Sequence, residues 1–392
     1  MKNKVIKLLA VVSSMAITAC ATSTPSSSLS STSSKEVPDS SSVSEETSSS
    51  STSSESKPTS SSSTKTYPTI DELDGTPKSK EYVEKGYKPL FKDLNHKQGY
   101  IVTKGSYGPG ESPYHDERLD LYPQDTKQPE WTIAQWGTRF DLIGSGFYDG
   151  HSHTTDESGL VHTIKSMGSG YTPAKKLIIN SENGEVYLES NCRVEYLQDR
   201  TGSEPWVHLL LSQDFSNDLT FVNTLSSLYM DASYTVNFCE DKTYGTVNPN
   251  AHAAQLVYFV TVQNRNMASK DYGKYIWFGM PLWDNRDAGK FANRGYVAHD
   301  AGTDTLIYSP AGTYYFHETG GYVPELNQKA RARMDILPII KNAFNEAKNK
   351  GYLGTTKWEE LALGGMNFGF EVPGTYNIGA TIHDIGVYAK KA

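Results

Sequence analysis

The sequence predicts a mainly β protein: an antiparallel β-sandwich of jelly-roll type with one packed amphipathic helix, set behind a disordered tether. Three observations carry that prediction. Apolar and polar residues alternate with period two in run after run. Gly-, Asn- and Asp-rich connections separate the runs at short intervals, as in sandwiches and barrels. A Ser/Thr-dominated stretch, too polar to bury a core, precedes them all. No βαβ rhythm is present, which argues against a nucleotide-binding parallel sheet.

The chain opens on Lys2, Lys4 and Lys7, followed by an apolar run at residues 8–17. That run is shorter than the ~20 residues a membrane-spanning helix needs. It ends in Ile17-Thr18-Ala19-Cys20, which resembles the lipobox of bacterial lipoproteins. The resemblance implies that residues 1–19 are a signal peptide and that Cys20 becomes a diacylated N-terminus. Two acyl chains suffice for stable anchoring, so the expected location is the outer side of the cell membrane. Residues 21–67 contain 23 Ser and 8 Thr. Residues 20–67 therefore read as a lipid-anchored linker, with a span of ~35 to 40 Å by the random-coil relation.

Residues 68–392 form the expected β-sandwich domain. The net charge is −8, of which residues 1–19 contribute +3 and residues 20–67 contribute −2, leaving −9 on the domain. No basic stripe exists, so nucleic acid is a poor partner. The stretch 68–129 is less regular and is expected to wrap the outside.

The strands follow in order. Residues 176–180 and 185–198 flank Asn183-Gly184, a strong hairpin signal. In the second arm Val186, Leu188, Cys192, Val194 and Tyr196 share one face. Further strands are expected at 206–213, 233–239, 254–264, 275–280, 305–308, 313–317 and 377–389. In the run 254–264, Leu256, Tyr258, Val260 and Val262 alternate with Gln255, Val257, Phe259, Thr261 and Gln263. One helix is expected from an N-cap at Asp335, with Ile336, Ile340, Ala343, Phe344 and Ala347 as its apolar stripe and Gly351 just past its end. Apart from Cys20, only Cys192 and Cys239 remain. In an exported chain they invite a disulfide, with two buried thiols as the alternative.

Few motifs carry chemistry. His151-Ser152-His153 with Glu157 has the spacing of a first cupin metal motif. The Gly-, Ser- and Thr-rich surroundings read as a solvated loop, and no second motif follows. No GxSxG, P-loop or CxxC cluster is present, so no cofactor is expected. Acidic residues gather at Asp284, Asp287, Asp300, Asp304, Glu318 and Glu325, with Arg286 and Arg294 nearby, but no spacing singles out a catalytic pair.

Trp131, Trp136, Trp206, Trp277 and Trp283 stand beside polar residues, a combination that suits sugar rings. The segment 275–286 is the best site edge, because its aromatics give way to a polar loop after Pro281. Tyr275, Trp277, Trp283, Asp284, Arg286 and His317 are the candidate ligand-binding residues. His208, Gln255 and Gln263 suit a surface that handles a uronate.

The run Gly369-Phe370-Glu371-Val372-Pro373-Gly374-Thr375, with the strand that closes on Tyr388, resembles the last strands of jelly-roll carbohydrate-binding domains. The likeness covers about twenty residues. It implies a cell-surface lipoprotein that binds extracellular glycan. Alternatives are a polysaccharide lyase or glycoside hydrolase on the same fold, and an adhesive surface protein without catalysis.

Overall fold

A computed structural model describes residues 76–104, 115–122, 127–143, 150–292 and 294–392. Cys20, the signal and the linker lie outside the described residues. The domain opens on helix α1 (Pro77–Glu84) and strands β1 (Lys88–Pro89), β2 (Tyr100–Lys104), β3 (His115–Leu119) and β4 (Trp131–Gln135). Next come β5 (His151–Thr155), β6 (Val161–Ser166), the short pair β7 (Gly168–Ser169) and β8 (Thr172–Pro173), β9 (Lys175–Asn180) and β10 (Glu185–Asn191). A single helical turn, α2 (Cys192–Glu195), leads to β11 (Val207–Asp214), β12 (Leu225–Asp241), β13 (Gln255–Asn264) and β14 (Tyr275–Asp284). The chain closes with β15 (Tyr296–Asp300), β16 (Thr305–Ser309), β17 (Ala330–Asp335), helix α3 (Leu337–Asn349), β18 (Leu361–Val372) and β19 (Tyr376–Lys391).

Two large sheets form the sandwich. Sheet A runs β17-β12-β19-β10-β9-β6-β5, with β1 also paired to β19; sheet B runs β15-β16-β14-β13-β18-β11-β4-β2-β3. All pairings are antiparallel except β14 with β16 and β2 with β4. The alternation read from the sequence places the core. Leu256, Tyr258, Val260 and Val262 of β13 face Leu228, Met230, Ala232, Tyr234 and Val236 of β12 within one buried cluster. Two buried hydroxyls tie the sheets together: Tyr234 Oη donates to Leu282 O at 2.6 Å and Tyr258 Oη to Gly386 O at 3.0 Å. Each satisfies a phenol that would otherwise be desolvated at a cost.

Helix α3 buries Ile340, Ala343, Phe344 and Ala347, as its spacing predicts. Asp335 is the last residue of β17 rather than the N-cap, yet its Oδ1 still accepts from Leu337 N at 3.1 Å. Helix α1 lies on the outer face of sheet A. Tyr82 Oη donates to Asp231 Oδ2 at 2.9 Å, and Lys78 and Arg331 pair with the same carboxylate at 3.3 and 2.5 Å. Burial alone would raise the Asp231 pKa; Arg331 and Lys78 outweigh it and hold the carboxyl low. The stacked rings of Tyr82 and Tyr388, 3.9 Å apart, complete the dock.

Several expectations are corrected. The stretch 68–129 does not merely wrap the sandwich: β2 and β3 extend sheet B beyond β4, and Tyr100 enters the core. The strand from Glu185 stops at Asn191, where α2 begins. Residues 312–314 form a 3-10 turn and no strand follows at 313–317. Pro281 does not end β14; a bulge opposite Leu256 and Val257 accommodates it.

Cys192 and Cys239 are free thiols. The reason is topological. Cys239 pairs with Ile378 on one side of β19, and Ser190, two residues before Cys192, pairs with Ile378 on the other. β19 thus lies between the strand that carries Cys239 and the strand that leads into Cys192. Burial pushes both thiols up to about 12, so neither is a reactive thiolate. Among the described residues no helix is long and apolar enough to cross a membrane.

Candidate functional site

Four adjacent strands of sheet B, β11, β18, β13 and β14, set His208, Glu371, Gln255 and Asp284 opposite one another in register. Directly opposed residues of antiparallel strands share a face. Their neighbours Leu209, Phe370, Leu256 and Trp283 belong to the core, so this polar row points outward. Trp136 extends it beyond β11: His208 N donates to Trp136 O at 2.9 Å, and the two rings lie 5.7 Å apart. Arg286 closes the other end.

Asp284 is fully engaged. Its Oδ1 accepts from Arg286 N at 2.9 Å and Nε at 2.8 Å, and its Oδ2 accepts from Arg286 Nη2 at 2.5 Å and Gln255 Nε2 at 2.8 Å. A carboxylate has about four acceptor positions, and all four are taken. The result is a charge-assisted fork that orients Arg286 and Gln255. The same contact raises the Arg286 pKa further.

Glu371 is the opposite case. No hydrogen bond to its carboxyl is found among the described residues, although surrounding protein leaves it only partly accessible. Burial, helped by the negative charge of Asp300, pushes it up to about 7. A carboxyl in this state carries a donor O–H through the mildly acidic range.

His208 is held in one tautomer. Its Nδ1 lies 2.8 Å from Trp206 O, a contact that needs the proton on Nδ1. Burial lowers its pKa to about 4, so the ring is neutral and Nε2 is a bare acceptor. Among the described residues Nε2 has no partner, and neither do Trp136 Nε1 and Trp277 Nε1 on the same face.

Beside the row lies a second apolar cluster, separate from the core: Ala134, Leu210, Val257, Phe259, Tyr275 and Trp277, with Trp136 and Ile307 at its margin. Gly279 makes room for it, since a Cβ there would stand 2.0 Å from the Phe259 ring. Gly369 has φ +147°, and a Cβ would stand 2.2 Å from Leu209 O. Only glycine allows β18 to approach β11 so closely just below Glu371.

The structure brings together part of the expected site. Tyr275 and Trp277 lie on the outer face, in the apolar cluster, with rings 5.3 Å apart. Asp284 and Arg286 lie in the row. Trp283 turns inward and belongs to the core, because it stands one residue out of phase with Asp284. His317 sits exposed in the turn after residues 312–314, and no described contact joins its ring to the row. His151 and His153 lie on strand β5 instead of a loop. Among the described residues no three metal-ligating side chains come together. His153 faces His162 at 3.1 Å, and burial lowers both pKa values, His162 to about 4.

Glu371 did not stand out from the sequence as a site residue, nor did Tyr296. One signal was present: Glu371 is the only charged residue in the twelve-residue strand β18.

No family model matches the chain, and no curated protein matches it in sequence. Solved structures with distant similarity include an endoglucanase from Rhodothermus marinus, 14% identical over 62% of this chain and 97% of that chain, with TM-score 0.31. A family 12 xyloglucanase from Bacillus licheniformis is 12% identical over 61% and 97%, with TM-score 0.35. The xyloglucanase domain of a type three effector from Sinorhizobium fredii, in complex with cellobiose, is 11% identical over 61% and 98%, with TM-score 0.32. At such distance the site is read from its own residues.

Proposed function

We propose that the domain binds extracellular carbohydrate on the outer face of sheet B. The row of Trp136, His208, Glu371, Gln255 and Asp284 carries this reading. It sets oriented donors and acceptors, several of them unpaired, beside an aromatic floor. Sugars need that combination: apolar ring faces stack on aromatics while hydroxyls are read by fixed polar groups.

A second reading has one observation in its favour. Glu371, raised to about 7, has the pKa of a general acid for glycoside hydrolysis. Hydrolysis also needs a second free carboxylate facing the scissile bond. In the row the other carboxylate is Asp284, whose acceptor positions are filled. Binding is therefore the better-supported function.

A glycan array with the purified mature chain, followed by reducing-end assays on each retained glycan, tests both. The expected result is retention without new reducing ends and without unsaturated, ultraviolet-absorbing products. New reducing ends establish the hydrolase, and no binding to any glycan at high protein concentration overturns the carbohydrate reading.

We also propose that Cys20 anchors the chain in the membrane through lipid. Its support is the Ile17-Thr18-Ala19-Cys20 run and the Ser-rich stretch behind it. The first described helix, α1, sits on sheet A, the face opposite the row. Cys20→Ala is expected to lose incorporated fatty-acid label and to leave the membrane fraction. Equal label in the variant would sink the anchor.

A further inference from the structure

We infer that the groove at the β15 edge of sheet B is a second sugar subsite, shaped for a residue bearing a carboxylate, such as a uronate branch. The inference rests on the row being a carbohydrate face, and it adds the class of glycan. Strands β15 and β16 and helix α3 border a groove of about 410 Å³, within the ~300–1,000 Å³ range of small-ligand sites. Tyr296, Tyr308, Tyr314 and Asn342 all contribute to its lining. This is again the pairing of flat aromatic surface and fixed polar groups that sugars require.

Arg294 is the one charged residue in that lining. It is exposed, and no ion pair or hydrogen bond to it is found among the described residues. Arg286, by contrast, is spent on Asp284. An unpaired guanidinium presents a planar fork that matches a carboxylate with two parallel hydrogen bonds. On a chain of net charge −8, a lone cation set in an aromatic groove selects an anionic group locally, where the surface at large would repel one.

Tyr296 links the groove to the row. It is 41% exposed and lines the groove. Tyr296 pairs with Ser309, and Ile307, two residues along β16, borders the outer apolar cluster, so Tyr296 stands on the row's face of the sheet. A glycan whose backbone lies on the row thus meets the groove at Tyr296, where a branch or terminal sugar turns toward Arg294.

The test is calorimetric titration of the mature chain, Arg294→Gln and Tyr314→Ala with xylohexaose and with glucuronate-substituted xylohexaose, repeated on whichever neutral backbone the glycan array selects. The wild type is expected to prefer the acidic probe by about tenfold, the scale of one charge-assisted contact. Arg294→Gln should lose that preference and keep its affinity for the neutral probe, while Tyr314→Ala should weaken the acidic probe most. Equal affinity of the wild type for both probes, or an undiminished preference in Arg294→Gln, overturns the subsite. If no neutral backbone binds, the reading of the row has failed. The groove then stands or falls on titration with D-glucuronate against D-glucose, followed by NMR shifts that Arg294→Gln must abolish.

Discussion

Replacing Glu195 with alanine is expected to cost the domain about 3–5 kcal/mol, the scale for breaking a buried ion pair on one side. Glu195 and Lys175 are both wholly buried and 2.5 Å apart. The carboxylate also accepts from Thr138 Oγ1 at 2.6 Å, Arg139 N at 2.6 Å and Phe140 N at 3.1 Å. Lys175 Nζ in turn donates to Phe140 O at 2.5 Å and to Thr138 Oγ1. Removing the carboxylate strands an ammonium in the interior and orphans two backbone amides. The double variant Glu195→Leu with Lys175→Met removes both charges and should be much milder, because it leaves no unpaired ion. The pair has a functional consequence, since it pins the segment that follows β4 and Trp136. Urea denaturation of the wild type and both variants checks the prediction; a Glu195→Ala protein within 1 kcal/mol of wild type would refute it.

How much of this was legible in the sequence follows from what each element depends on. The strands β13 and β19, helix α3 and the Asn183-Gly184 turn were readable because local periodicity and turn chemistry dictate them. Gly184 indeed has φ +78°, and Leu256, Tyr258, Val260 and Val262 all point to the core. Pro281 misled because a bulge, a property of the pair β13–β14, lets a proline sit inside a strand. Trp283 misled for the same reason: the bulge shifts the phase that decides which aromatic faces out. The row itself joins residues 208, 255, 284 and 371, and only strand order and register bring them together. Composition pointed to His208 and Gln255, but nothing local distinguished the free Glu371 from the saturated Asp284.

That distinction yields the sharpest functional expectation, a binding affinity that titrates with Glu371. Its carboxyl is pushed up to about 7, above the ordinary 4.5. Between those values the folded state holds a proton that the unfolded chain has lost, so this group's contribution to stability falls as pH rises through the window. Glu371→Gln removes that dependence. Its melting temperature should therefore gain on the wild type from about pH 4.5 to about pH 7 and then run parallel. Binding follows the same proton. Below about pH 7 the wild type offers an O–H donor to a sugar oxygen, and above it offers only acceptors, beside the fixed acceptor Nε2 of His208. The wild-type affinity should decline as pH rises through 7, whereas Glu371→Gln, with a permanent N–H donor, should stay level from pH 5 to 8. Glu371→Ala should lose about 1–3 kcal/mol, or roughly 5- to 150-fold in affinity, by the usual cost of deleting a buried hydrogen-bond partner. If the site is instead hydrolytic, Glu371→Gln keeps its ligand but loses turnover by ~10²–10⁴-fold, the contribution of a general acid. A wild-type affinity flat from pH 5 to 8, together with undiminished binding in Glu371→Ala, would remove Glu371 from the site and the row from its function.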